Sequence, residues 1–151
     1  MITFILTATE DAEALARLLS ALVPAVAEGL VREAAVVGAR GAAAEVADDA
    51  GADLCETFGA AIEAARGPWI AGAPLGAVFT PDWMQLVADH VRREPMEAAR
   101  LASRGFGLRQ RAGWLVPKRL APSAVVVEQD LQRLARRGRR LRVLEPGRGG
   151  R

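Results

Sequence analysis

Residues 69–83 read W-I-A-G-A-P-L-G-A-V-F-T-P-D-W, and the fold can be worked out from this stretch. Its first, apolar part follows a Gly-Pro pair and stops at Pro74, which is the length and composition of a β-strand. Helical patterns lie on both sides of it, so we expect a central parallel strand that is covered on both faces. Ligands of open α/β sheets bind just beyond the carboxyl ends of such strands, which is where Pro74, Leu75 and Gly76 stand. None of these three side chains is a carboxylate, a hydroxyl or an imidazole, so the sequence predicts the place of a site but not its chemistry.

Strand and helix patterns alternate through the first hundred residues. The apolar run 2–6 predicts a strand, Thr9 is the expected N-cap of the next helix, and Pro24 is expected to end that helix. Further strands are predicted at 34–37 and 53–55, and further helices at 42–50, at 58–65 and from Pro81 and Asp82 onward. This order predicts a three-layer α/β/α sandwich with a mainly parallel central sheet. We expect one domain over residues 1–145 and a disordered tail at 146–151.

The composition is that of an ordinary globular domain. The chain has 151 residues, of which 51% are hydrophobic and 25% are charged. No apolar run reaches the roughly 18 residues that a transmembrane helix needs. The sequence opens on a strand-like segment without a basic leader, so we expect no signal peptide. Together with the single cysteine, Cys55, this favours the cytoplasm.

Several kinds of site are excluded by residue type. His90 is the only histidine, which excludes a His-based catalytic triad and a multi-histidine metal site, and we expect it on an exposed helix surface. The chain has no G-x-S-x-G motif, and residues 38–41 have too few glycines for a dinucleotide fingerprint or a P-loop. The three tryptophans are expected in the core or in a pocket wall rather than as platforms for a sugar ring.

Several motifs, in order along nearly the whole chain, resemble those of family 2 glycosyltransferases. Residues 2–22 resemble the opening strand and helix of that family, and residues 33–37, E-A-A-V-V, resemble its second strand. The other matching segments are A-D-D-A-G-A at 47–52, A-A-R-G-P-W-I at 64–70, T-P-D-W at 80–83, G-W-L-V-P-K-R-L at 113–120 and V-E-Q-D-L-Q-R-L at 127–134. The resemblance implies a GT-A fold, which is Rossmann-like, a nucleotide-sugar donor and a divalent metal.

The residues that would bind donor and metal depart from the family pattern. The family's acidic residue after the second strand falls on Gly38, and the family's D-x-D metal motif falls on the Pro74 to Gly76 turn. Mg²⁺ and Mn²⁺ on a diphosphate require hard oxygen ligands. We therefore expect no metal ligands at these positions, although the resemblance itself implies a divalent metal. The candidate donor-binding residues are Thr7, Gly38, Arg40, Pro74, Leu75, Gly76, Lys118 and Arg119.

An acid at the start of a late helix is the general base of the family, and Glu128 or Asp130 matches that position. Either carboxylate could take the proton of an acceptor hydroxyl. An acid in the first turn of a helix also stabilises the helix dipole without any catalytic role. The sequence leaves both interpretations open.

The charge is distributed unevenly. Residues 1–99 carry six basic and fifteen acidic side chains, and residues 100–151 carry fourteen basic and three acidic ones, so the two parts have net charges of −9 and +11. The late basic residues are Arg109, Arg111, Lys118 and Arg119 around the strand that contains Trp114, and Arg133, Arg136, Arg137, Arg139, Arg140 and Arg142 near the end. They could replace a metal at a diphosphate, bind a lipid-phosphate acceptor or an anionic membrane, or form a solvated helix face. Nucleic acid is disfavoured because interleaved aromatic residues are missing. The two oppositely charged parts could also neutralise each other in the fold.

Two hypotheses of function follow. In the first, the chain is a glycosyltransferase-like protein that holds a nucleotide-sugar donor without the usual metal and has weak or no metal-dependent transferase activity. In the second, it is a non-catalytic binding or regulatory relative. Its basic C-terminal half would then contact a protein partner, a second copy of itself, a nucleotide, nucleic acid or the anionic inner face of a membrane.

Overall fold

A seven-stranded sheet is the scaffold of the protein. Its structure, a computed structural model, describes residues 1–7, 10–104, 112–121 and 127–146. The strands are β1 (Ile2–Thr7), β2 (Val31–Val37), β3 (Asp53–Cys55), β4 (Trp69–Gly72), β5 (Ala99–Ser103), β6 (Gly113–Pro117) and β7 (Arg139–Leu144). The helices are α1 (Ala12–Ala27), α2 (Ala42–Asp49), α3 (Phe58–Ala64), α4 (Trp83–Arg93) and α5 (Glu128–Arg136), and a 3₁₀ turn spans Lys118–Leu120.

The strand order is β3-β2-β1-β4-β6-β5-β7, so β4 is the central strand, as its sequence predicts. β1 pairs in parallel with β2 and β4, β2 with β3, and β5 with β7. β6 pairs antiparallel with both of its neighbours, β4 and β5. The prediction of a mainly parallel sheet is therefore confirmed, and β4 is parallel to its neighbour on one side only.

Helices cover both faces of the sheet, which confirms the predicted three layers. Alternate residues of β1 enter two separate cores, since Phe4 and Leu6 pack with residues of α1, α2 and α4, whereas Ile5 packs with residues of α3 and α5. This division follows from the alternation of side chains along a strand. Every residue of β4 is buried, as expected for the central strand.

The prediction that Pro24 ends the first helix is wrong, because α1 continues to Ala27. Proline cannot donate to the carbonyl group of Ser20, one turn earlier, but Ser20 is exposed and water can solvate that carbonyl. Leu22 and Ala25, on either side of the proline, are buried. Their burial favours the last turn more than the lost hydrogen bond disfavours it. The side chain of Asp11 caps α1 by accepting from the Ala14 N–H, and Thr9 lies outside the described residues.

The prediction that His90 is exposed is also wrong, since only 3% of its surface is accessible. Trp83, Val87 and His90 are spaced so that they lie on the same face of α4, and all three are buried. The Nε2 atom of His90 lies 2.7 Å from the carbonyl oxygen of Glu97, and its ring packs edge-on against Trp69. His90 is thus a core residue of α4.

A partly buried polar contact joins β1, β2 and the segment that precedes β4. The Thr3 hydroxyl, which is 1% exposed, donates to Glu33 Oε1 over 3.0 Å. The same oxygen accepts the backbone N–H of Arg66 at 2.7 Å. Glu33 therefore satisfies two donors at the sheet edge where the parallel strands begin.

We predict that Glu33→Ala lowers the free energy of unfolding by about 1–3 kcal/mol, because it leaves the buried Thr3 hydroxyl without its acceptor and removes the contact with the Arg66 N–H. The measurement is urea unfolding of the variant and the wild type. The matched control is Glu13→Ala, which removes an exposed helical ion pair with Arg17 and should cost under about 0.5 kcal/mol. Equal losses in the two variants would contradict this account of Glu33.

Candidate functional site

The structure brings two of the predicted site residues, Thr7 and Glu128, together at the carboxyl edge of the sheet. Thr7 is the last residue of β1, and Glu128 is the first residue of α5. The Thr7 hydroxyl donates to Glu128 Oε2 over 3.3 Å, and the Trp114 indole N–H donates to Glu128 Oε1 over 2.9 Å. Each carboxylate oxygen of Glu128 therefore accepts a different donor.

The position of the Trp114 ring depends on Gly72, its direct partner across β4 and β6. A Cβ atom at residue 72 would lie 2.4 Å from the Trp114 ring, so a larger residue there would collide with the indole. The glycine leaves room for the ring to lie over β4. Trp114 itself is fully buried, and Phe58 packs against it edge-on.

Glu128 and Asp130 both lie in the first turn of α5, and Glu128 contacts the strands β1 and β6. Asp130 lies 4.0 Å from Arg133 on the same helix, and 35% of its side chain is exposed. The helix N-terminus stabilises both carboxylates. The contacts to β1 and β6 therefore distinguish Glu128 from Asp130 as the candidate base.

The Pro74 to Gly76 segment forms a tight turn after β4. The Ala77 N–H donates to the Pro74 carbonyl over 3.0 Å, and Gly76 has a φ of 88°. Such a φ favours glycine, because a Cβ atom would be strained there. The turn lies at the carboxyl edge, and it presents backbone groups and the half-buried Leu75.

Gly38 and Arg40 follow β2 at the same edge of the sheet. Gly38 has a φ of 75° and donates its N–H to the Cys55 carbonyl over 3.0 Å, which joins the ends of β2 and β3. Arg40 is exposed in the loop before α2. Both residues thus lie on the side of β1 away from β6.

The structure does not bring Lys118 and Arg119 together with the other candidate donor residues. β6 runs antiparallel, so its end lies at the edge where β4 begins, and the Lys118 N–H donates to the Pro68 carbonyl over 2.8 Å. The ammonium of Lys118 donates to the carbonyl of Ala65, and Arg119 donates to that of Pro95. These two cations therefore lie at the opposite edge from Thr7 and Glu128.

A second polar cluster lies at the carboxyl ends of β5 and β7. Asp82 accepts hydrogen bonds from the Thr80 hydroxyl at 2.7 Å and from Arg104 at 2.6 and 2.7 Å. Mainly the Thr80 hydrogen bond, assisted by the Asp82 backbone N–H and by Arg104, lowers the pKa of Asp82. Asp82 is thus engaged within the protein rather than directed at the Pro74 turn.

A groove of about 720 Å³ lies elsewhere, between the second half of α1, the start of β2 and the end of α2. Its lining is mostly apolar, with Arg32, Glu33 and Asp49 among the polar residues. Among the helices that the structure describes, none has the length and apolarity that a bilayer-spanning helix requires.

Comparison with known proteins gives structural likeness only. No family model matches the sequence, and no curated protein matches it either. Solved structures of glucosyl-3-phosphoglycerate synthase from Mycobacterium tuberculosis do match. The structure in complex with phosphoglyceric acid has a TM-score of 0.67 and 16% sequence identity, over 96% of this chain and 70% of that one. The structure with Mn²⁺, uridine diphosphate and glucosyl-3-phosphoglycerate has a TM-score of 0.66 and 15% identity, with the same coverage. The fold is therefore GT-A-like.

One of these structures holds Mn²⁺ together with uridine diphosphate, and a metal of this kind prefers oxygen ligands. The turn that follows β4 has no oxygen-bearing side chain. Within residues 1–7, 10–104, 112–121 and 127–146, no group of three or more His, Cys, Asp or Glu side chains could hold a metal. The turn itself therefore offers a diphosphate-bound metal no side-chain oxygen ligand.

The sequence did not predict the role of Trp114 or the hydrogen bonds among Thr80, Asp82 and Arg104. Trp114 is buried, as predicted, but its indole N–H also donates to the candidate base. No spacing of residues in the sequence could indicate this hydrogen bond, because it depends on how β6 and α5 pack. Arg104 could have been predicted as a site residue, since it is a charged residue that directly follows a strand at the edge where ligands bind. Arg109 and Arg111 lie outside the described residues.

We predict that the stabilising effect of Asp82 depends on pH. A carboxyl whose pKa is lowered by folding stabilises the protein above its usual pKa of about 3.9, and that effect is lost as the pH falls through the lower, folded-state pKa. Asp82→Asn should therefore be less stable than the wild type near neutral pH, and the difference should shrink in acid. Unfolding with urea over a pH series measures it. Thr80→Val should give the same profile, whereas a difference that is independent of pH would contradict the assignment.

We also predict that Gly72→Ala destabilises the protein by about 1–3 kcal/mol, because the added methyl group overpacks the Trp114 ring. Denaturant unfolding measures the loss. The control is the same substitution in a Trp114→Leu background, where the collision is absent and the added cost should be smaller. Equal costs in both backgrounds would show that the indole is not the obstacle.

Proposed function

We propose that this chain binds a nucleotide sugar at the carboxyl edge of the sheet and transfers the sugar with Glu128 as general base. The observation that carries the proposal is the contact of Glu128 with Thr7 and Trp114. Residues of two strands, β1 and β6, thereby hold the carboxylate of α5 at the edge where open α/β sheets bind ligands. The GT-A-like fold supports a donor of this class, as the matched synthase is solved with uridine diphosphate glucose.

In the proposed reaction, Glu128 takes the proton of an acceptor hydroxyl. The acceptor oxygen then forms a bond to the anomeric carbon of the donor, the bond from that carbon to the diphosphate oxygen breaks, and the nucleoside diphosphate leaves with the electron pair. Each oxygen of the Glu128 carboxylate accepts one hydrogen bond, from Thr7 or from Trp114, and these contacts hold the group in position to take a proton. The carboxylate has about four lone-pair sites, so it can still accept the acceptor hydroxyl.

The donor would be held without the usual metal, and transfer would depend weakly on metal or not at all. The support is the composition of the turn after β4, which offers backbone groups and no carboxylate. Thr7, Gly38, Arg40 and the Pro74 to Gly76 turn remain the proposed donor contacts. Lys118 and Arg119 are left out of this set because they lie at the opposite edge of the sheet.

A second candidate function is donor binding without turnover. The observation that favours it is the same turn, since a diphosphate leaving group without a metal lacks its usual charge stabilisation. This candidate shares the donor site with the first and differs in the role of Glu128.

We predict that uridine diphosphate glucose stabilises the protein in thermal unfolding with or without Mn²⁺. A ligand at about 100 times its dissociation constant adds about 2.7 kcal/mol, which raises the melting temperature by several degrees for a domain of this size. Other nucleotide sugars form the comparison panel. No shift with any donor would overturn the proposal, and a shift that requires Mn²⁺ would contradict its metal-independent form.

A measurement of donor hydrolysis distinguishes the two candidate functions. We predict that Glu128→Gln lowers hydrolysis of the donor, in which water is the acceptor, by about 10²–10⁴-fold while donor binding persists, because an amide cannot take the proton. The matched control is Asp130→Asn, two residues further along in the same helical turn, which should retain activity. Binding without hydrolysis in the wild type would favour the second candidate, and equal activity in Glu128→Gln and the wild type would exclude Glu128 as base.

A further inference from the structure

The two outer strands of the sheet carry opposite charges. Residues 41–65, which include β3, contain six acidic side chains and no basic one. Residues 131–142, which include the first part of β7, contain six basic side chains and no acidic one. All twelve side chains are exposed; they are Glu45, Asp48, Asp49, Asp53, Glu56 and Glu63, and Arg133, Arg136, Arg137, Arg139, Arg140 and Arg142. We call the first set the acidic edge and the second set the basic edge.

The two edges cannot neutralise each other within one molecule. β3 and β7 are the first and last strands of seven, and six strand spacings of about 4.8 Å separate them by roughly 29 Å. The Debye length at physiological salt is about 8 Å. Within the described residues, the ion pair found for these arginines is the 4.0 Å contact of Arg133 with Asp130. The expectation that the two oppositely charged parts neutralise each other in the fold therefore does not hold for these residues.

Like charges are placed side by side on the basic edge. In the parallel pair β5 and β7, Arg140 lies opposite Arg100, and Arg139 and Arg142 lie on the same strand. Like charges directly opposite each other destabilise a sheet. The repulsion between these arginines destabilises the isolated molecule, and acidic side chains of another molecule would offset it.

Charged side chains on an outer strand ordinarily prevent pairing with another sheet. Here they prevent only some pairings, because two acidic edges repel each other and so do two basic edges. The acidic edge of one molecule and the basic edge of another attract. The charges therefore exclude symmetric association of like edges and permit the pairing of unlike edges.

The backbone of the two outer strands also permits the pairing of an acidic edge with a basic edge. β3 and β7 both run in the direction of β1, so a second copy placed beside the first continues the sheet with a parallel pair. The end of β7 is already occupied, since Phe79 bridges to Leu144 and the Thr80 N–H donates to Val143. The start of β7, with its arginines, matches the short β3 in length, and Leu54 of β3 is 49% exposed.

We propose that the basic edge of one copy of this chain docks on the acidic edge of another, through β7 and β3. The interface is head-to-tail, so each added copy leaves one edge of each sign free. Association of this kind goes beyond the proposed function and leaves the carboxyl edge of the sheet, with Glu128, open.

The test is the mass of the protein by sedimentation and light scattering over a range of concentrations and salt. We expect the mass to rise with concentration at low salt, and the rise to disappear between about 0.01 M and 1 M salt, where the Debye length falls from about 30 Å to about 3 Å. A chain that stays monomeric at every concentration at low salt overturns the proposal. If that monomer sediments with phosphatidylserine vesicles or with RNA, the basic edge has that partner instead.

Charge reversal makes the test specific. One variant changes Arg139, Arg140 and Arg142 to Glu, and the other changes Asp49, Asp53 and Glu56 to Arg. Each variant alone should lose association, and an equimolar mixture of the two should regain it, because opposite charges then face each other again. The matched control reverses the exposed Arg17, Arg32 and Arg93, which lie on neither edge, and should associate like the wild type. Unchanged association in both edge variants, or a mixture that stays monomeric, overturns the proposal.

Discussion

The contact of Glu128 with Thr7 and Trp114 is the constraint on which the candidate site depends. It joins the first strand to the last helix, over a separation of 121 residues between Thr7 and Glu128. It requires that β6 run antiparallel, because only then does Trp114 lie at the carboxyl edge beside Gly72. It also requires a glycine at position 72, since any side chain there would occupy the space of the indole. The late half of the chain thus completes a site that the early βα units begin.

Most of the fold could be predicted from the sequence, because short apolar runs and amphipathic helices determine the layers. The predicted strands at 34–37 and 53–55 lie within or match β2 and β3, and the central place of β4 is confirmed. Two predictions, those for Pro24 and His90, were wrong because packing in the folded chain outweighed a local sequence rule. Pro24 does not end α1 because the apolar residues around it are buried, and His90 is buried because it shares a face with Trp83 and Val87.

The candidate site was less predictable, because contacts between distant strand ends leave no local pattern. Thr7 and Glu128 could be named as candidates, but their hydrogen bond follows from the register of the sheet and the placement of α5. Lys118 and Arg119 show the converse, since a basic pair near a glycosyltransferase-like motif lies at the opposite edge once the direction of β6 is known. The direction of one strand therefore decides which charged residues lie at the carboxyl edge, where the proposed donor site is.

The most direct test of this account is the NMR signal of the tryptophan indole N–H groups during titration with uridine diphosphate glucose. The chain has three tryptophans, and Trp114→Phe would assign the one that contacts Glu128. The account predicts that the Trp114 signal shifts on binding, whereas the signal of Trp69, which lies at the other edge beside His90, stays in place. A saturable change at Trp69 with none at Trp114 would contradict the placement of the donor at the carboxyl edge.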